Sequence, residues 1–304
     1  MTAAPDGWTE VQVLVPAGWG ELVASTLAEP PCTSVAFGRV SLGSDAPPEG
    51  FELLRTFLPA RADGEGARAE IAERLGRLAA TTGADELAEL APRFRELAPE
   101  DYATSWRKVW RPFRLGHLCL TPPGWKGTLR ADDVPLVFEP KSSFGTGRHA
   151  TTRMCLRALQ EHGAAGRRVL DAGTGSGLLA VAAARLGAAS CLGFDVDPES
   201  TPQASALAAA NGVAERCEFR AGGFEVLTER DSGFDILLAN LYSDLLQDMA
   251  PDFARRLAPG GWFVFSGCPA PRRDATRAAF DTAGLRVRAE PRRGRWCAFV
   301  GERT

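Results

Sequence analysis

The sequence predicts an α/β protein: a mostly parallel sheet wrapped by helices on both faces, preceded by a small α+β domain. Three observations carry that reading. From residue 141 onward, apolar strand-like runs alternate with helical segments, and repeated βα units of this kind demand right-handed crossovers and a parallel sheet. One of these strands, "VLDAG", runs directly into a glycine turn, "TGSG", that opens a helix. The first hundred residues read instead as β-α-β-β-α-β, the order of a ferredoxin-like unit. A chain of 304 residues is long enough for two domains with cores of their own.

Within residues 1–98, "WTEVQVLVP" alternates as a half-buried strand does, and "GWGELVASTLAE" has helical spacing behind a glycine entry. "TSVAFGRV" and "FELLRTFLP" are again strand-like, "GARAEIAERLGRLAATTG" is an amphipathic helix, and "RFRELAP" supplies a last strand. "GSDAPPEG" and "ADGEG" read as loops. Residues 99–140 have another texture. Trp106, Trp110 and Trp125 are interleaved with Arg107, Lys108, Arg111 and Arg114, in what reads as a short helix and a strand pair. Basic residues among aromatics fit nucleic-acid contact. They also fit an interdomain connector whose rings pack and whose arginines reach outward. A net charge of −3 and the lack of a wider basic stripe favour the connector.

Residues 141–304 then read as helix 149–162, strand "RRVLDAG", helix 177–187, strand "SCLGFDV", helix 199–211, and strands "CEFRAG" and "FDILLAN". Helix 242–257, strand "WFVFSG" and helix 271–283 follow. The chain ends in "LRVRAE" and "RWCAFVG", separated by the turn-like "PRRGR", so one late strand is expected to run antiparallel.

Composition excludes several classes. The N-terminal "MTAAPDGWTEVQVLVP" has neither a basic leader region nor a long apolar core, so no signal peptide is expected. No run approaches the roughly 18 apolar residues of a spanning helix. The seven cysteines are odd in number, scattered, and never in a CxxC pair. That argues against a disulfide framework and against a zinc site; buried thiols in a reducing cytoplasm are expected, with no metal.

The chemistry concentrates in two glycine-rich stretches, "FEPKSSFGTGRHATTRMCL" and "VLDAGTGSGLLAVAAA". In the second, Asp171 ends an apolar strand and Gly173, Gly175 and Gly177 lead into a helix. Glycines let a backbone approach a ligand, and a helix start offers free N–H groups. That describes nucleotide sites in general. The dinucleotide fingerprint requires a third glycine where this chain has Leu178, which weakens a nicotinamide reading. Asp195, closing the next strand, stands where an acid accepts hydrogen bonds from ribose hydroxyls, whereas Asp197 fits a surface acid better. In the first stretch, Thr151 and Thr152 are N-cap candidates for the following helix. His149 is open to two readings, a titrating base or an orderer of its loop.

In combination, "FGTGRHATTRMCL", "VLDAGTGSGLLAVAAARLGAASCLGFDVDP", "LLANLYSDLL" and "LAPGGWFVFSG" resemble class I S-adenosylmethionine-dependent methyltransferases, and among them the PrmA family. That family methylates lysine side chains and the N-terminal amine of ribosomal protein L11. The resemblance covers most of the chain. It implies a Rossmann-like methyltransferase domain over 141–304, a linker over 99–140, and a ferredoxin-like substrate-recognition domain over 1–98. It implies S-adenosylmethionine held by Phe144, Gly145, Thr146, Gly147, Thr152, Asp171, Gly173, Thr174, Gly175, Gly177, Asp195, Val196 and Asn240. Asn240 is the residue expected to accept a hydrogen bond from the incoming amine, the other reading of it being a cap for helix 242–257. Thr146 and His149 stand beside Asn240 as candidate catalytic residues, and Tyr242 as a candidate lining of the acceptor channel. The partner implied is a ribosomal protein in the cytoplasm, with no direct nucleic-acid or membrane contact. The chain departs from the family's usual pattern at Lys141, Ser143, Arg148, Ala150 and Thr174. Lys141 and Arg148 add two positive charges to the loop, so the resemblance leaves two alternatives: a related methyltransferase with another amine acceptor, or a cofactor-binding module without catalysis.

Overall fold

The chain divides into two compact units, 1–111 with 140–144 and 112–139 with 145–304. The computed structural model describes residues 8–27, 32, 35–38, 47–59, 64–97, 112–138, 147 and 149–304. The first unit contains β1 (Trp8–Pro16), α1 (Gly20–Leu27), β2 (Val35–Gly38), β3 (Phe51–Pro59), α2 (Glu65–Thr82) and β4 (Arg93–Leu97). The strands form one antiparallel sheet in the order β2-β3-β1-β4, as the element order anticipates. Alternation assigns the faces. Val11, Val13 and Val15 of β1 and Leu54 and Leu58 of β3 are buried with Val23 and Leu27 of α1 and with Ile71 and Leu75 of α2. On the other side of β1, Glu10 is buried too, 3.5 Å from Arg55 and 2.8 Å from Arg95. Burial pulls the Arg55 guanidinium below its ordinary range, against the opposing pull of Glu10.

The second unit begins with a small sheet, β5 (Phe113–Leu115), β6 (Leu118–Thr121) and β7 (Val134–Val137). The expected strand pair therefore gains a third member, parallel to β6. Arg114, one of the basic residues among the tryptophans, pairs with Asp133, just before β7, at 2.9 Å. Trp106, Arg107, Lys108, Trp110 and Arg111 lie outside the described residues.

The principal sheet is built from β8 (Arg168–Ala172), β9 (Ser190–Asp195), β10 (Cys217–Ala221), β11 (Phe234–Asn240), β12 (Leu257–Pro269), β13 (Leu285–Ala289), β14 (Arg292–Arg293) and β15 (Trp296–Arg303). Its order is β10-β9-β8-β11-β12-β15-β13, with β14 paired to β15. Strands β8 to β12 are mutually parallel, and β15 is antiparallel to both β12 and β13. Helices α3 (Ala150–His162), α4 (Leu178–Arg185), α5 (Ser200–Ala210), α6 (Ser243–Asp248), α7 (Ala250–Arg256) and α8 (Arg273–Thr282) complete it. Strands β8, β9 and β11 are buried along nearly their whole length because both faces are covered. Phe253, Phe263, Phe265, Phe280 and Phe299 fill one side of the core, with Phe263 stacked on Phe265 at 4.4 Å between centroids.

Three expectations need correction. The helix expected over 242–257 is two helices, because Pro251 stands in the first turn of α7 and has no N–H to continue the ladder of α6. The helix expected from 271 starts at Arg273, after a single 3₁₀ turn over Ala270–Arg272 that contains Pro271. Neither Thr151 nor Thr152 caps α3. Both lie inside its first turn, and His149 is the cap residue.

Candidate active site

Strand order fixes where a ligand can bind. From β8 the chain winds outward to β9 and β10, whereas β11 lies on the other side of β8. The crevice above the carboxyl ends of β8 and β11 is thus the switch point of the sheet, the preferred ligand position in open α/β folds. Asp171 and Gly173 stand at the end of β8 and Asn240 at the end of β11. The two ends touch, since a Cβ on Gly173 would fall 2.4 Å from Leu241.

The glycine turn is hooked to the neighbouring strand. Gly173 and Thr174 donate their N–H groups to the Phe194 carbonyl at 2.9 and 3.0 Å. Gly175 donates to Asp195 Oδ2 at 2.7 Å, while Asp195 Oδ1 accepts from Asp197 N at 3.0 Å. Each carboxylate oxygen keeps a further lone pair. Two of the glycines are needed for different reasons. Gly175 has φ +51°, and a Cβ there would meet nothing within 4 Å, so its face is open. Gly177 has φ +79°, and a Cβ would lie 2.6 Å from Ala204 Cβ and 2.8 Å from Ala204 Cα, so its task is packing of α4 on α5. Val196, beside Asp195, is 76% exposed, an apolar side chain at the rim of the cleft. Asp197 is an exposed acid whose carboxylate accepts from Glu199 N at 3.0 Å, a local turn contact.

Asp171 is buried beneath the turn. Its Oδ2 accepts from the Thr174 hydroxyl at 2.8 Å and from Ala180 N, in the first turn of α4, at 3.1 Å. Its Oδ1 is buried without a hydrogen-bond partner. Burial raises its pKa to about 7, with the Asp195 charge adding to the effect and the Thr174 and Ala180 bonds opposing it. Near the ordinary value of 3.8 and below, the carboxyl is protonated whether or not the chain is folded. Between there and about pH 7 only the folded chain keeps the proton, and above that the fold must hold a buried carboxylate. The ligand-free protein is therefore expected to lose on the order of a few kcal/mol, roughly 5–10 °C of melting temperature, as pH rises from the ordinary value of 3.8 to about 7, with no further loss from this group above that. Thermal melts across that window and above it check this: Asp171→Asn should flatten the profile, and an unchanged slope would refute the assignment.

Asn240 is half-buried and donates from Nδ2 to Thr152 Oγ1 at 3.3 Å. Thr152, inside α3, thereby fixes the carboxamide, and Asn240 Oδ1 makes no hydrogen bond among the described residues. Asn240 does not cap the following helix, whose cap position is Tyr242. The Tyr242 side chain is 61% exposed and makes no capping bond. His149 caps α3: its Nδ1 lies 2.7 Å from Thr151 Oγ1 and accepts from Thr151 N at 3.4 Å. Burial lowers its pKa to about 4, with Arg295 adding to the effect, so the ring is neutral near pH 7.

The earlier glycine loop is described at Gly147 alone; Phe144, Gly145 and Thr146 lie outside the described residues, as do Lys141, Ser143 and Arg148. Gly147 is buried at φ +69°, and a Cβ on it would come 2.8 Å from Leu120 and 3.4 Å from Leu178, the first residue of α4. The helix opened by one glycine loop thus carries the other. Two neighbours escaped the sequence reading. Trp296 places its ring edge-on to His149 at 5.3 Å between centroids. Gly267 lies so close to Leu241 that a Cβ would fall 2.1 Å from its carbonyl oxygen. The glycine of "FSG" was the visible signal for the second, and nothing local marked the first.

These residues fit S-adenosylmethionine. The open turn at Gly175 offers backbone approach, Asp195 offers acceptors to hydroxyls, and Asp171 Oδ1 is a buried polar atom left without a partner. Among the described residues no group of His, Cys, Asp or Glu side chains is arranged to hold a metal ion, and no helix is long and apolar enough to cross a membrane.

Residues 7–304 match the family described as "Ribosomal protein L11 methyltransferase (PrmA)". Curated relatives agree. The ribosomal protein L11 methyltransferase of Pelotomaculum thermopropionicum is 34% identical over 96% of this chain and 98% of its own length. That of Geobacter sulfurreducens is 36% identical over 96% and 97%. That of Thermus thermophilus is 39% identical over 81% and 93%. Among solved structures, the ribosomal protein L11 methylase of Lactobacillus delbrueckii subsp. bulgaricus superposes with a TM-score of 0.57 at 27% identity, covering 64% of this chain and 99% of that one.

Proposed function

The chain belongs to the ribosomal protein L11 methyltransferase (PrmA) family of S-adenosylmethionine-dependent enzymes, and on that premise we propose that it methylates lysine and N-terminal amines of ribosomal protein L11. The observation that carries the chemistry is the placement of Asn240, with a free carboxamide oxygen, beside the glycine turn at the switch point of the sheet.

S-adenosylmethionine supplies a methyl group on a positively charged sulfur, transferred by in-line displacement. Gly173, Thr174, Gly175 and Gly177 form the turn that receives it, with Asp195 and Val196 at its ribose and base end. Asp171 holds that turn from below through Thr174 and the start of α4. Gly147, packed against the first residue of α4, stands on the side assigned to the methionine end; Phe144, Gly145 and Thr146, which the family resemblance also assigns there, lie outside the described residues. Asn240 Oδ1 accepts a hydrogen bond from the incoming amine and orients its lone pair. The interaction strengthens as positive charge moves onto nitrogen, so it favours the transition state over the ground state. A lysine amine, with an ordinary pKa near 10.4, reaches its neutral form more readily once desolvated in the cleft. His149, neutral and engaged in capping α3, orders the loop; it is not required as the base. A ribosomal protein acceptor puts the enzyme in the cytoplasm.

Incubation with S-adenosylmethionine and purified ribosomal protein L11, read by intact mass spectrometry, is expected to add whole methyl units to L11. Methylation of some other protein in a lysate, with none on L11, would redirect the proposal to a different acceptor. Cofactor binding by calorimetry without transfer to any acceptor would leave a binding module only.

A further inference from the structure

Cys191 and Cys217 sit far from the chemistry, yet side by side. Cys191 is the second residue of β9 and Cys217 the first of β10, and they are direct Cα partners across that parallel pair. In-register neighbours on adjacent strands are about 4.8 Å apart, inside the Cα separation of roughly 4.4–6.8 Å that disulfides span. Both line one surface cavity of about 240 Å³, together with Arg168, Arg216, Glu218 and Phe234. It opens at the amino end of the strands, the opposite end from Asp195. Strand β10 is the edge of the sheet, so no second strand holds it against a shift towards β9.

From this placement we propose that Cys191 and Cys217 form a redox-active dithiol that hydroperoxides convert to a disulfide.

The local chemistry divides the roles. The adjacent Cys191 thiol holds Cys217 below the ordinary thiol range; burial opposes this and Arg216 adds to it. Cys191 is pushed the other way by its neighbour and by burial. Cys217 is partly buried, whereas Cys191 is 3% exposed. The Cys217 thiolate is thus the attacking group. Its sulfur attacks the terminal hydroperoxide oxygen, the O–O bond breaks, and the departing alkoxide takes a proton to leave as an alcohol, or as water from hydrogen peroxide. Cys217 is then a sulfenic acid. The Cys191 sulfur attacks it, the S–O bond breaks, and hydroxide leaves with the Cys191 proton as water. The two thiols together lose two electrons and the hydroperoxide gains them.

The chain carries its own control. Cys268 and Cys297 are also Cα partners, but both are wholly buried and the Cys268 thiol is directed to Thr276 Oγ1 at 3.5 Å.

The test uses the full chain, titrated with hydrogen peroxide, quenched with an alkylating agent and mapped by peptide mass spectrometry. The expected result is loss of two hydrogens and of both alkyl adducts at Cys191 and Cys217, in one cross-linked peptide pair released by dithiothreitol. It should appear before any oxidation of Cys119, Cys155, Cys268 or Cys297. Cys217→Ser should leave Cys191 fully alkylated, and Cys191→Ser should halt at a Cys217 sulfenic acid trapped by dimedone. Oxidation of the other cysteines first, or of Cys217 without the cross-link, would overturn the proposal, and the wild-type measurement decides this even if a variant fails to fold.

Discussion

Asn240→Ala is expected to lower kcat for L11 methylation by about a hundredfold, ~2.7 kcal/mol of transition-state stabilisation, while leaving S-adenosylmethionine affinity within about threefold. The reason lies in how the carboxamide is held. Its Nδ2 end is anchored on Thr152, in α3, so the oxygen is presented from a strand end and a helix at once, on elements that do not move with a loop. Alanine removes the acceptor without opening the sheet, since Leu237, Leu238 and Ala239 before it remain buried. Single-turnover methylation paired with calorimetric cofactor binding separates the two quantities. Equal loss in both would make Asn240 a cofactor ligand and not an acceptor for the amine. Thr152→Val supplies the companion result: the carboxamide keeps its atoms but loses its anchor, and a smaller fall in kcat is expected.

Gly177→Ala is expected to cost about 3 kcal/mol or more of stability, lowering the melting temperature by roughly 6–12 °C. Two penalties combine there. The backbone is left-handed, and the new Cβ would strike the Cα of Ala204, which belongs to the α5 backbone and cannot rotate away. Gly175→Ala is the contrasting case. It shares the left-handed backbone but has open space before it, so strain alone, about 1–2 kcal/mol, is expected. Its methyl would instead project from the face offered to the ligand, and the loss should fall on cofactor affinity, by about tenfold or more. Melting and calorimetry on both variants test the division of labour. A Gly175→Ala protein that binds as tightly as the wild type would remove the turn from the cofactor site.

Most of the fold was legible because its signals are local and periodic. Parallel strands covered on both faces read as apolar runs, as in "VLDA" and "DILLAN", and helices between them read by their spacing. The misreadings arose where a local rule was outweighed. Pro251 split a helix whose apolar pattern runs on through it. His149 took the cap position from two threonines with better capping propensity, and its ring is wedged against Trp296, a neighbour from the far end of the chain. The third strand of the small sheet joined β6 in parallel through "PPGWKGTLRADD", whose turn signals say that the chain bends but not which strand it returns to. At the site, glycines and acids were legible by type and position, but their tasks were not. Nothing in "GTGSG" says that Gly175 faces open space while Gly177 is shut against Ala204.

The sequence by itself determined the fold class, the family and the cofactor, because strand–turn–helix chemistry is written within a few neighbouring positions. Only the tertiary structure decided which acid is buried with an unmatched oxygen, which asparagine is anchored, which histidine is kept neutral, and which cysteines pair across neighbouring strands. Those properties depend on burial and on register between strands distant in the chain, as Cys191 and Cys217 are. Desolvation and cross-strand distance have no local signature, so they come into being only when the sheet closes.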